Sequence, residues 1–214
     1  MQGISVTLPH GFAHNGSWLR RVLMRPLSGG DERFLAETDA RLPTARRTSV
    51  LLARLVRFDE TGAPLTPETI RKLTAGDREA LLLHLCRNLY GERLSCMLRC
   101  PECSEAMTLD LAVGELLVPM AAHPAQEYHR KVAGYQVILR PVTNADLEGV
   151  EGEESAAGER LLRACVVAAA PLLPATHLPS ELADALLEAL SAIDPQADLL
   201  LGLGCSACGG PFQA

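Results

Sequence analysis

Apolar and polar positions change rhythm several times along this chain, and each rhythm predicts an element. The stretch ISVTLP (4–9) alternates with period two, and SWLRRVLMR (17–25) is rich in apolar and β-branched residues. Asn15-Gly16 between them is a favoured tight turn, so the chain is expected to open on a β-hairpin. Two strand-like segments, RVLMR (21–25) and YQVILR (135–140), each stop at a proline, Pro26 and Pro141. Ser28 and Thr143 follow, each with an acid three residues on, Asp31 and Asp146. A hydroxyl that takes an orphan N–H, with a carboxylate at the positive helix end, predicts a helix start at both places. Second helices are expected around 45–57 and 156–169. Thr74 with Asp77, and Ser191 with Asp194, predict two more starts. Leu81, Leu82, Leu85 and Leu89 recur at helical spacing before Gly91, a C-cap residue, and SELADALLEALSAI (180–193) is a further helix. Leu94, Cys96 and Leu98 alternate, as do Met107, Leu109 and Leu111, which predicts a second hairpin.

These elements recur in order. VLMRPLSGGDE (22–32) matches VILRPVTNADLE (137–148) at an offset of 115, and LLARLV (51–56) matches LLRACV (161–166) at 110. LTAGD (73–77) matches LSAID (190–194) at 117, and Cys100 and Cys103 match Cys205 and Cys208 at 105. Four matches in one order, with offsets that loop lengths absorb, point to internal duplication. The expected fold class is α+β: two similar lobes, each strand, helices and a β-hairpin knuckle, plus the N-terminal hairpin. The lobes are expected at 1–118 and 127–214, with 119–126 as linker and a loop at 150–158.

The cysteines give the duplication a chemical meaning. Cys100-Pro-Glu-Cys103 falls at the tip of the second hairpin, and Cys205-Ser-Ala-Cys208 lies between DLLLGLG and a short return strand, GPFQA. Two thiolates two residues apart reach one ion, and turn N–H groups hydrogen-bond to the sulfurs. One knuckle supplies two ligands and structural zinc takes four, so the two knuckles together form a candidate Cys₄ zinc site: Cys100, Cys103, Cys205 and Cys208. Arg99 or Arg93 stands ready to offset its negative charge. Gly209 and Gly210 permit a positive φ, whereas Ser104 holds the corresponding place in the first knuckle. Two alternatives stay open. A thioredoxin-like redox pair wants its first Cys at a helix N-terminus, and knuckles that have lost their metal would keep free thiols. The same residues also suit a site shared between chains. Cys86, Cys96 and Cys165 are expected as buried small hydrophobes.

Composition narrows the partners. Seven cysteines, an odd count, do not suit a secreted disulfide framework. No apolar run has the length of a membrane span, and the first residues lack a secretory signal, so a cytoplasmic protein is expected. Aromatics are 4% of residues, too few for a base-stacking platform. Residues 1–60 carry nine Lys/Arg against six Asp/Glu, and residues 141–214 carry two against eleven. An acidic C-terminal third argues against nucleic acid, and the asymmetry suits protein–protein contact, even head to tail.

Active-site signatures are missing: there is no phosphate-cradling glycine loop, HExxH or GxSxG. His10 and His14 are placed in the hairpin turn as ordinary polar residues, His84 on a helix edge, and Glu151, Glu153 and Glu154 in a solvated loop. Non-enzymatic function is the expectation.

Three segments carry a resemblance. VLMRPLSGGDERFLAE (22–37), Gly76-Asp77-Arg78-Glu79 with the leucines that follow, and Arg99–Cys103 are similar, in order, to the motifs LRxLTGxDE, GDRExLLLxLRRLxxGD and RCPxCGExxDLDL. Those motifs belong to the baseplate-assembly proteins of contractile phage tails and related contractile injection systems. The resemblance covers 22–113 and reaches the rest only through the repeat. Ser104 departs from the family's glycine, and the sequence runs only six residues past Cys208, where relatives run on. The resemblance implies a structural or assembly subunit of a baseplate or hub, docking other baseplate or hub proteins in a phage tail-like particle that assembles in the cytoplasm. A zinc-ribbon adaptor outside any particle is the alternative.

Overall fold

Strand pairing in this computed structural model builds two three-stranded antiparallel sheets and two short hairpins, and eight α-helices pack around them; residues 3–38, 42–119, 125–150 and 157–214 are described. The first sheet joins β1 (Ile4–His14), β2 (Ser17–Met24) and β3 (Val56–Phe58) in that order. Helices α1 (Gly29–Glu37) and α2 (Thr44–Leu55) connect β2 to β3, and α3 (Pro67–Lys72) and α4 (Ala75–Tyr90) follow. The sheet's apolar face closes on these helices, burying Val6, Leu8, Val22, Met24, Leu52, Leu55, Ile70 and Leu81 in one core. Hairpin β4 (Arg93–Arg99) and β5 (Ala106–Ala112) then projects, and the short helix α5 (Val113–Leu116) ends this part.

The second sheet joins β6 (Tyr128–Val132), β7 (Tyr135–Leu139) and β8 (Val166–Ala170), again in order and antiparallel. Helices α6 (Asn144–Val150) and α7 (Ala157–Cys165) connect β7 to β8, and α8 (Ser180–Ile193) covers the sheet. Val137, Leu139, Cys165, Leu182, Leu186 and Ile193 form a separate core. Hairpin β9 (Gly202–Gly204) and β10 (Pro211–Gln213) follows a 3₁₀ turn at Pro195–Ala197.

One polar device sits at the same place in both sheets. Arg25 grips Asp31 through two N–H···O bonds of 2.7 and 2.8 Å, and Asp31 also accepts from the N–H and hydroxyl of Ser28. Arg140 grips Asp146 at 2.6 and 2.9 Å, and Asp146 accepts from the N–H and hydroxyl of Thr143. The arginine backbone N–H then ties each turn to the end of the second helix after it, Arg25 to the Leu55 carbonyl of α2 and Arg140 to the Cys165 carbonyl of α7. This is a capping box with a guanidinium clamped over it, which explains why Arg-Pro precedes both helix starts. One difference is plain: Arg54 adds a third cationic bond to Asp31, and Ala164 occupies the matching place in the second half.

Several elements depart from the sequence expectation. Helix α7 stops at Cys165, because Val166–Ala170 pairs with β7 instead of continuing the helix. Ser191 lies inside α8, and Asp194 ends that helix rather than starting one. Cys96 is exposed on β4 and Cys86 is only half-buried, whereas Cys165 is fully buried as expected. Leu89 is exposed at the end of α4, where the helix runs beyond the core. Residues 120–124 of the expected linker, and Glu151, Glu153 and Glu154, lie outside the described residues. Among the described residues no helix is long and apolar enough to cross a membrane.

The two cores are joined by backbone. Ala75 N–H bonds the Val142 carbonyl and Asn144 N–H bonds that of Leu73, so the segments that start α4 and α6 run antiparallel to each other. Buried Gln196 adds two bonds, accepting from Val118 N–H and donating to the Leu116 carbonyl.

Candidate metal centre

Each CxxC pair sits on a turn with the same hydrogen bonds. Cys100 N–H donates to the Glu105 carbonyl and Ser104 N–H to that of Cys100; Cys205 N–H donates to the Gly210 carbonyl and Gly209 N–H to that of Cys205. Ser104 adopts φ +60° and Gly209 φ +73°, so the serine accepts the left-handed conformation that glycine takes without strain. Both hairpins thus present their sulfurs in the same way, with the first cysteine of each pair buried and the second exposed.

The two turns meet. Cys100 Sγ lies 3.8 Å from Cys208 Sγ, and Cys103 Sγ lies 3.6 Å from Cys205 Sγ. All four sulfurs fall within 4.8 Å of one another. A disulfide would hold its sulfurs at about 2.05 Å. A tetrahedron with metal–sulfur bonds of about 2.3 Å has edges of about 3.8 Å, close to these two cross-hairpin distances. The structure therefore brings together the four cysteines that the sequence singled out, in an arrangement able to hold a metal.

Local electrostatics favour thiolate at one position. N–H groups of Cys208 and Ala207 lower the Cys205 thiol to about 6. At Cys103 the Glu105 N–H favours the thiolate, but desolvation and the crowding of the other three sulfurs hold the thiol up at about 12. Four thiols this close do not all ionise together without a cation among them. Arg99, one of two cations expected to balance the charge, donates to the Ser104 carbonyl at the rim of the first turn.

A second polar cluster, not anticipated, lies where the two cores meet. The β1–β2 register slips between Thr7 and Phe12, and this bulge turns His10 inward rather than leaving it in the hairpin turn. His10 is 2% exposed, with Nε2 3.4 Å from Asp194 Oδ1 and Nδ1 3.5 Å from the Tyr128 hydroxyl. Buried Asp77 accepts from the N–H groups of His10 and Gly11, while Asp194 accepts from Gly76 N–H. A Cβ on Gly76 would lie 1.9 Å from Asp194 Oδ1, so only glycine allows this approach. Among the described residues the side-chain partners of the His10 ring are Asp194 and Tyr128.

This cluster makes stability depend on pH. Burial opposes the charged imidazole, but the hydrogen bond and charge of Asp194, with Asp77, raise the His10 pKa above its ordinary value. Burial pushes Asp77 up to about 7, against the opposing N–H bonds. Both shifts are upward, so the folded state binds more protons than the unfolded one, and this stabilisation is lost as pH rises through the folded pKa values. The thermal midpoint is expected to fall between pH 6 and pH 8, and the fall to be shallower in His10→Gln; scanning calorimetry across that range checks both.

Comparison with protein-family models, curated proteins and solved structures finds no match.

Proposed function

We propose that this protein is a non-enzymatic docking scaffold held by one structural zinc ion on Cys100, Cys103, Cys205 and Cys208. The observation that carries this reading is the convergence of four sulfurs from two hairpins 102 and 108 residues apart. Four thiolate donors favour a soft or borderline metal, and a closed tetrahedral set leaves no position for substrate. In this reading the metal holds the fold and performs no reaction. The matched sheets and the two Arg–Asp clamps support descent from an internal duplication, with two lobes that offer related surfaces to related partners.

The setting we propose is the baseplate or hub of a contractile tail or injection particle. It rests on the resemblance of residues 22–113 to that family's motifs. Its test is made in cells that produce such particles. Deletion of the gene is expected to leave few or no complete tails by negative-stain microscopy, and restoring the gene to recover them. Normal particle numbers after deletion would overturn this setting and leave a zinc-held adaptor.

A further inference from the structure

An apolar groove runs between α6, α7 and α8. It encloses about 420 Å³ and is lined by Val142, Leu147, Leu161, Leu162, Leu187 and Leu190. Leu187 stands at its lip, 54% exposed. Such a side chain on a helix that already buries Leu182, Leu186 and Leu190 is not needed for the core. Its neighbours are charged in one sense. Asp184 lies one turn away from Leu187 on the same stripe of α8 and Glu188 is next to it in sequence, both outside the lining, and Asp198 lines the groove; all three are exposed. Residues 180–214 contain five carboxylates and no Lys, Arg or His. The two cations of α7 are engaged, Arg163 with Glu159 and Arg160 with the Gly149 carbonyl.

We infer that this groove docks an amphipathic helix of a partner protein, one with apolar anchors at three- and four-residue spacing and Lys or Arg on its flanks. The apolar floor accepts the anchors, and the carboxylate rim selects the cationic flanks and speeds their approach. The chain's own most basic helix, α2, does not serve, because Leu52 and Leu55 hold it in the first core. The inference names a partner class for the proposed scaffold, but the groove stands apart from the cysteines, so its failure would leave the zinc and particle tests untouched.

The test uses intact, metal-loaded protein and a labelled 14-residue helix of leucine and lysine, with leucine at positions that form one face. Fluorescence anisotropy is expected to show saturable binding that weakens with salt. Leu187→Glu, and the triple variant Asp184→Lys, Glu188→Lys, Asp198→Lys, are each expected to weaken it at least tenfold with unchanged circular dichroism and metal content. A peptide of the same composition with its leucines scattered is expected to bind at least tenfold more weakly. Equal binding by the scattered peptide, no binding, or indifference to Leu187→Glu would overturn the inference. Self-association of the protein that Leu187→Glu abolishes, without peptide binding, would overturn it in favour of a second copy.

Discussion

A Cys208→Ser variant is expected to purify without metal and to unfold on the order of 10 °C below the parent, which is expected to carry one zinc per chain. The magnitude follows from linkage. A metal that binds only the folded chain, present at about a thousand times its dissociation constant, stabilises by about 4 kcal/mol. For a chain of this size each kcal/mol moves the midpoint by roughly 2–4 °C. Cys208 is one of the two exposed cysteines of the cluster, so serine there opens no core cavity. The fall in stability thus reports the metal, and a chelator is expected to bring the parent down to the variant while leaving the variant unmoved. Native mass spectrometry with calorimetry decides it. Metal-free parent protein, with a midpoint equal to that of the variant, would remove zinc from the proposed function.

Asp31→Ala is expected to cost about 3 kcal/mol, the lower end of the range for breaking a buried ion pair. Asp31 is 0% exposed and accepts from Arg25, Arg54 and Ser28. Its removal leaves two guanidinium groups with no counter-charge. Both are about a third exposed, so water recovers part of the loss, which sets the estimate at the low end. The Arg25 guanidinium, with Ser28 and Arg54, holds the Asp31 carboxyl well below the usual carboxylate range. A lowered pKa contributes stability that is full at neutral pH and lost as pH falls through the acid range. Asp146→Ala is expected to cost less, because no counterpart of Arg54 reaches Asp146. Urea denaturation of the two variants at pH 7 gives the comparison; an Asp31→Ala cost below that of Asp146→Ala would refute this account of the clamp.

The sequence made the four clustered cysteines legible because a CxxC pair is a local signal: each knuckle is built within seven residues and shows its turn residues openly. The Arg-Pro-x-Ser/Thr-x-x-Asp segments were legible for the same reason. What escaped were features set by distant partners. Val166–Ala170 reads as the end of a helix, and only the edge of β7 makes it a strand. Strand β3 has three residues, too few to carry a period. Asp194 has the spacing of a helix start after Ser191, but its carboxylate serves Gly76, 118 residues earlier in the chain. His10 looked like a turn residue because nothing nearby encodes the bulge that buries it. Cys96 alternates with leucines, yet β4 lies on a projecting hairpin without a layer over that face.

The crossed pairing of the two knuckles has a topological consequence. With a metal in place, the chain between Cys103 and Cys205, 102 positions apart, would become a closed ring. The whole second sheet and its helices lie on that ring. A single backbone cut anywhere within it would leave both fragments tied at the sulfurs. Separating them would require removal of the metal as well as unfolding. A metal bound there would act as a clasp on a necklace, so that breakage elsewhere along the strand would not by itself scatter the beads.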